Sequence, residues 1–325
     1  CIWRRIYLGQ HGNSLGKFLM GLAFLCPGQA SQKVGMGLNL CHNTKLGKQY
    51  FEKANEIMGV DIQDIIFNGP EDTLKQTQYT QPAIYIVSVI IGELLKEQGV
   101  KPSCTAGHSL GEYSALALAN AFDFETGLEL VKVRAEGMQN AGNQNPGTMA
   151  AVIGLDDEKV IEICSQYSEG IVVAANFNAK GQVVISGEIE AVHAVMPIMK
   201  EAGAIKVVEL KVSGAFHSPL MIPAKEVLSE KLLSIEIQDS DIPVYANVSA
   251  SPVSSADEIR QSLIDQLENP VRWHESVSRL VQDGVTTAVE VGPGRILQGL
   301  SRRIDRSLNM NGVETLEQIV NFNYV

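Results

Sequence analysis

Cys104-Thr105-Ala106-Gly107-His108-Ser109-Leu110-Gly111-Glu112-Tyr113-Ser114-Ala115 is the stretch whose reading decides the fold. Cys104-Thr105-Ala106 is small and apolar and reads as a strand that stops at Gly107, whereas Glu112 to Ala121, rich in Ala and Leu, reads as a helix. Between them lies Gly-x-Ser-x-Gly, residues 107–111. A nucleophile on a tight strand-to-helix turn needs small neighbours, and the two glycines flank Ser109 two residues to either side. Such a turn exposes the hydroxyl and turns it toward the N–H groups that open the helix, which can hold an oxyanion. The pentapeptide also arises by chance. On pattern alone Ser109 reads evenly as a nucleophile or as an ordinary loop serine.

Working outward, Leu22 to Cys26 reads as a strand broken by Pro27-Gly28, Thr80 to Glu97 as a long apolar helix, and Phe124 to Met138 as another. Asn140 to Gly147, rich in Asn and Gly, reads as a loop and a boundary. The pattern then changes. Strands are expected at 148–153, 171–175, 182–186 and 205–212, with helices at 156–166 and 188–201. That β-α-β-β-α-β order is the ferredoxin-like pattern, set inside a larger α/β unit that resumes with strands at 244–248 and 287–291. The expected fold class is α/β: a hydrolase-like, doubly wound sheet domain with an inserted ferredoxin-like α+β subdomain. Residues 20–146 and 208–325 would form the large domain and 147–207 the small one. Residues 1–19 hold Arg4, Arg5 and Lys17 with no acidic residue. They read as a leader with no role, ahead of a natural start at Met20.

The chain has 325 residues, enough to bury a large core, and carries 26 Lys and Arg against 37 Asp and Glu, a formal charge of −11. That balance argues against a broad nucleic-acid surface. The apolar run Ala83 to Ile91 falls well short of the roughly 20 residues of a membrane span. Cys1, Cys26, Cys41, Cys104 and Cys164 are scattered without metal-ligand spacing, which suits reduced thiols in the cytoplasm. No metal or cofactor, no nucleic acid and no membrane are expected.

A serine hydroxyl needs a base. Of the six histidines, His11 lies in the leader, His108 adjoins Ser109 and reads as packing or positioning, and His193 sits mid-helix. His217 follows a strand and a Ser-Gly-Ala turn, where catalytic side chains tend to sit, although a structural loop histidine has the same look. Pro27-Gly28-Gln29 directly after the first strand is a second source of oxyanion N–H groups, or a plain connection. Arg134 lies on an amphipathic helix, where a buried guanidinium would need a carboxylate and a surface arginine would not.

The blocks Pro27-Gly28-Gln29, Gln81-Pro82-Ala83, Gly107 to Ala115, Ala175-Asn176-Phe177-Asn178, Gly181 to Gly187, Phe216-His217-Ser218, Asn269-Pro270-Val271 and Glu290 to Gly294 occur in order. From about Gly21 onward the chain thereby resembles the malonyl-CoA:acyl-carrier-protein transacylase family. The resemblance implies an S-malonyltransferase of fatty acid biosynthesis that passes malonyl from malonyl-CoA to the phosphopantetheine thiol of acyl carrier protein through a malonyl-serine. It implies Ser109 as nucleophile and His217 as base, oriented by the backbone carbonyl of Gln266 in place of a carboxylate. Gln29 and Leu110 would supply the oxyanion N–H groups, Arg134 would bind the malonyl carboxylate as a bidentate fork, and Gln81 and His108 would complete the pocket. A cytoplasmic monomer is expected.

Two positions bear on this reading. Ala30 stands where the family usually has glycine, which matters if the loop needs positive φ. Phe216 before His217 is similar to malonyl-preferring relatives, whereas methylmalonyl-preferring ones tend to carry serine there. A thioesterase using the same Ser–His pair, an inert carrier-binding scaffold and an acyltransferase serving a polyketide assembly line remain alternatives. Arg302, Arg303 and Arg306 with Lys206 and Lys211 are a candidate dock for an acidic carrier, or simply a solvated face.

Overall fold

The computed structural model describes residues 21–323; the expected leader, with Cys1 and His11, lies outside the described residues. Ten strands are described: β1 (Leu22–Cys26), β2 (Cys104–Gly107), β3 (Gly147–Ile153), β4 (Val172–Ala179), β5 (Gln182–Glu188), β6 (Lys206–Glu209), β7 (Val244–Tyr245), β8 (Pro252–Val253), β9 (Thr287–Val291) and β10 (Asn309–Val313). They form a six-stranded sheet in the order β10-β9-β1-β2-β7-β8 and a four-stranded sheet in the order β4-β5-β3-β6. In the larger sheet β10, β9, β1, β2 and β7 run parallel, and only the edge strand β8 is antiparallel.

The central strand shows why its sequence is apolar without alternation. Leu22, Phe24 and Cys26 pack into one core on one face, while Ala23 and Leu25 pack into another with Tyr245, Trp273, Val277 and Leu297. A parallel strand buried on both faces has no polar side to show. The first core is dominated by the Thr77–Glu97 helix, buried along almost its whole length and lying against the Phe124–Gln144 helix.

The latter helix corrects the expected loop at Asn140. It begins on Asp123, whose side chain accepts from the Thr126 N–H, and continues to Gln144. Ala141 and Gly142 are buried, and a Cβ on Gly142 would stand 2.3 Å from the Ser213 carbonyl oxygen. The glycine there admits a neighbouring backbone and does not break the helix. β7 is likewise shorter than the expected 244–248. Its continuation turns away at Ala246, where the chain folds back so that the Ala246 N–H meets the Ser251 carbonyl at 3.1 Å.

The smaller sheet is antiparallel throughout, and its helices, Asp157–Gln166 and Ile189–Glu201, close a third core over Val152, Val183, Ile185 and Val207. The sheet runs from Gly147 to Glu209. It is stitched to the rest of the molecule along the edge of β4. Val271 lies beside Asn176, with the Phe177 N–H on the Val271 carbonyl and the Val271 N–H on the Ala175 carbonyl, each 2.9 Å. Two irregularities in β4, at Ala174/Asn176 and Phe177/Ala179, bend the strand where this occurs. The segments that leave the carboxyl ends of β2 and β7 adjoin this edge: His108 Nε2 lies 2.7 Å from Asn178 Oδ1, and the Arg272 N–H meets the Asn247 carbonyl at 3.0 Å.

Candidate active site

Ser109 sits at φ 52°, in the left-handed region that a non-glycine residue enters at a cost. Sterics explain the flanking glycines. A Cβ on Gly107 would lie 1.9 Å from the Gly111 backbone, and one on Gly111 would lie 2.0 Å from the Cys26 carbonyl oxygen. The Gly111–Leu118 helix therefore starts almost in contact with β1 and β2, and the turn between has no alternative course.

Ser109 Oγ is 2.8 Å from His217 Nε2, and His217 Nδ1 is 2.9 Å from the Gln266 carbonyl oxygen. With Nδ1–H donating to that carbonyl, Nε2 is left as an acceptor for the serine proton. His217 is itself at φ 56° and buried. Burial first, and then the Arg134 charge, push its pKa down to about 3, while backbone contacts from Gln266 and Asn269 pull the other way. The imidazole is thus neutral at physiological pH and ready to accept a proton.

Arg134, from the Phe124–Gln144 helix, is completely buried. Its Nη1 donates to Gln81 Oε1 at 2.6 Å, and its Nη2 donates to Gln266 Oε1 at 2.8 Å and to Ser109 Oγ at 3.0 Å. The guanidinium also lies 5.4 Å from the Tyr113 ring centroid. Among the described residues no carboxylate forms an ion pair with it, and its Nε has no hydrogen-bond partner. A charge this deep is held by amide oxygens, a hydroxyl and a ring face beside the serine hydroxyl.

The Pro27–Gln29 loop is pressed against the Gly107–Gly111 turn. The His108 N–H donates to the Cys26 carbonyl at 3.1 Å, and a Cβ on Gly28 would stand 2.4 Å from the His108 carbonyl oxygen. Gln29 donates through Nε2 to Thr77 Oγ1 at 3.2 Å, and its Oε1 lies 3.5 Å from Gln81 Nε2. Leu110 is buried at the helix start. Ala30 does take φ 80°, the conformation for which glycine is suited. His108 Nε2 lies 2.7 Å from Asn178 Oδ1 and its ring packs edge-on against Trp273, so it links the Ser109 turn to the small sheet.

Three residues without an assigned role in the sequence reading also enter the site. Asn178 is one. Asn247, beyond β7, accepts the Ser109 N–H on Oδ1 and donates from Nδ2 to the Gly107 carbonyl, both at 2.7 Å. Glu112 is buried and accepts from Gln266 Nε2 at 2.7 Å and the Asn247 N–H at 3.1 Å. Burial raises its carboxyl to about 7 against the pull of those two donors and Arg134. Asn247 left no signal beyond an amide near a strand end. Glu112 stood in the quoted motif, and only its burial distinguishes it from a solvated helix residue.

Other expected residues lie elsewhere. His193 is on an outer helix beside Glu209, at 3.1 Å. Arg302 and Arg303 are exposed in the last turn of the Ile296–Ile304 helix, and Arg303 reaches Gln182 at 2.6 Å. Gln182 pairs with Ile153 and Ile153 with Lys206, so Lys206 shares that end of the small sheet. Lys211 lies past the opposite end, beyond the Leu210 contact to Met149. Among the described residues the four cysteines are free and buried, no group of three His, Cys, Asp or Glu could hold a metal ion, and no helix is long and apolar enough to cross a membrane.

An α/β sheet with a serine on a strand-to-helix turn, a histidine in contact with it and an inserted ferredoxin-like sheet are the features of a chain that belongs to the acyl transferase domain family, whose model matches residues 23–317. Among its relatives, a malonyl CoA-acyl carrier protein transacylase of Bacillus subtilis is 41% identical over 300 residues, covering 92% of this chain and 95% of that one. The Haemophilus influenzae protein of the same name is 42% identical, covering 92% and 98%. A crystal structure of acyl-carrier-protein S-malonyltransferase from Bartonella henselae superimposes with a TM-score of 0.89 at 39% identity, covering 93% and 98%. A malonyl-transacylase in complex with its type II polyketide acyl-carrier protein gives a TM-score of 0.89 at 40% identity, covering 92% and 98%.

Proposed function

We propose that this chain is an acyl-carrier-protein S-malonyltransferase of fatty acid biosynthesis, which takes malonyl from malonyl-CoA onto Ser109 and passes it to the phosphopantetheine thiol of an acyl carrier protein. The observation that carries this reading is Arg134, a buried guanidinium 3.0 Å from Ser109 Oγ with no ion-paired carboxylate among the described residues. A malonyl group brings its own carboxylate, and the planar fork fits it. A thioesterase for uncharged acyl chains would have no use for a buried cation at this point.

In the first half-reaction Ser109 Oγ bonds to the thioester carbonyl carbon as its proton passes to His217 Nε2. The carbonyl electron pair moves onto oxygen, where the Gln29 and Leu110 N–H groups stabilise it. The intermediate collapses, the C–S bond breaks, and the coenzyme A sulfur takes the proton from His217. The carrier thiol then repeats these steps on malonyl-Ser109, giving its proton to His217, which returns it to Ser109. The Gln266 carbonyl holds the Nδ1–H throughout and so stabilises the imidazolium that forms transiently. Gln81 holds the other end of the guanidinium. No cofactor takes part, and the enzyme works as a cytoplasmic monomer with malonyl-CoA and the carrier as its partners.

Intact mass spectrometry after exposure to malonyl-CoA tests this reading. A malonyl adduct should form on the native chain and be absent from Ser109→Ala. An adduct on Ser109→Ala would refute the nucleophile, and equal labelling by acetyl-CoA would refute the malonyl preference.

A further inference from the structure

We propose that Glu112 is a positioning residue for the acyl transfer, its buried carboxylate tying the nucleophile's turn and the base's supporting carbonyl into one rigid unit. The inference rests on the reading of Ser109 and His217 as nucleophile and base, and adds a residue whose N–H meets the Ser109 carbonyl at 3.1 Å and whose carboxylate acts on both only through Asn247 and Gln266.

Glu112 stands in the first turn of the Gly111–Leu118 helix and is 1% exposed. A carboxylate so placed is expensive, although the helix N-terminus and Arg134 both favour its charge. One oxygen, Oε2, binds two residues from separate parts of the chain: the Asn247 N–H at 3.1 Å and Gln266 Nε2 at 2.7 Å. From Asn247 the connections run to both sides of the turn, the Gly107 carbonyl and the Ser109 N–H. From Gln266 they run to the Ser109 carbonyl at 3.0 Å, to Arg134 Nη2 and to His217 Nδ1.

The Ser109 backbone, His217 Nδ1 and Arg134 Nη2 are therefore each one hydrogen-bonded residue away from the Glu112 carboxylate. Ser109 and His217 both hold positive φ, and such conformations persist only where their surroundings over-determine them. Neither Asn247 nor Gln266 has another carboxylate acceptor among its hydrogen bonds.

The test uses the full chain and a fluorophosphonate probe, which reports serine reactivity without coenzyme A or carrier, beside single-turnover acylation by malonyl-CoA. The native chain should be labelled and Ser109→Ala should not; failure of that pair refutes the nucleophile, not the role of Glu112. Glu112→Ala should lower the labelling rate by about 100-fold, because small misplacements of reacting groups cost that much. Glu112→Gln keeps an acceptor oxygen in the same place and should recover to within about 10-fold of native. Asn247→Ala should lose about 30-fold, and the double variant Glu112→Ala/Asn247→Ala should be no more than about 3-fold slower than the worse single one, as members of one unit are not additive. Labelling of Glu112→Ala or Asn247→Ala within about 3-fold of native would overturn the proposal, as would fully multiplicative losses in the double variant. If Glu112→Ala does not fold, Asn247→Ala decides by the same criterion. Glu112→Gln as slow as Asn247→Ala would also refute it, since the acceptor oxygen would then not be what matters.

Discussion

Arg134→Ala is the perturbation that separates a malonyl-specific enzyme from a general serine acyltransferase. The native guanidinium is fully buried, its two Nη atoms span Gln81, Gln266 and Ser109, and its face lies on Tyr113. Truncation to alanine leaves a site built around a cation without the cation. A malonyl carboxylate would then enter a buried pocket unpaired, at a cost of about 3–5 kcal/mol. At about 1.4 kcal/mol per tenfold, the ratio of kcat/KM for malonyl-CoA over acetyl-CoA should fall by about 10² to 10⁴. The ratio is the quantity to read, because Gln81 and Gln266 lose a donor for either substrate and the absolute rates fall together. Arg134→Lys should recover only part of the ratio, since an ammonium cannot reproduce the two-pronged geometry. Steady-state kinetics with both thioesters on native and variant enzyme give the answer. An unchanged ratio in Arg134→Ala would refute the assignment of the malonyl carboxylate to this residue.

Further expectations concern the base, the loops and the carrier. His217→Ala should slow acylation by about 10⁴ or more, checked by single-turnover kinetics. The depressed pKa of His217 makes the unfolded chain bind more protons between about 3 and 6.5, so it makes stability rise with pH there. The raised pKa of Glu112 does the opposite between its ordinary value, 4.5, and about 7. Urea unfolding of Glu112→Gln should therefore show stability climbing more steeply from pH 4.5 to 6.5 than in the native chain; an identical slope would contradict the assignment. Ala30→Gly should raise stability by about 1 kcal/mol by relieving the left-handed strain at φ 80°, read as a higher melting temperature. Charge reversal at Arg302 and Arg303 should raise KM for the carrier and leave acylation by malonyl-CoA unchanged, whereas equal losses in both half-reactions would point to a structural role.

Which parts of this were legible without coordinates follows from how local each signal is. β1 is an uninterrupted apolar run closed by Pro27, and β2 and β9 are short, mainly apolar runs closed by Gly; each lies where that pattern places it. The alternation of the 147–209 region and the spacing of Gly107, Ser109 and Gly111 are likewise local, because they record which face is buried and where a Cβ has no room. The Asn140–Gly147 segment misled because Asn and Gly mark turns only when no packing demand overrides them. Here Gly142 serves the approach of the Ser213 backbone to a continuing helix. β10, Asn-Met-Asn-Gly-Val, has no strand pattern of its own and is a strand because β9 lies beside it.

Sequence by itself located the tight turn that carries Ser109, since the steric need for two glycines around a serine is written in five consecutive residues. It also marked where the second, antiparallel sheet begins, through the change of hydrophobic pattern after residue 147. Tertiary structure alone decided that Arg134 is buried and not solvated, that its fork ends 3.0 Å from Ser109 Oγ, and that His217 is the histidine within 2.8 Å of that oxygen. It alone recruited Asn247 and Glu112. These facts depend on elements 25 to 157 residues apart in the chain meeting at the ends of β1, β2 and β7. A burial or a hydrogen bond of that kind is a property of the packing between segments, and no single segment encodes it.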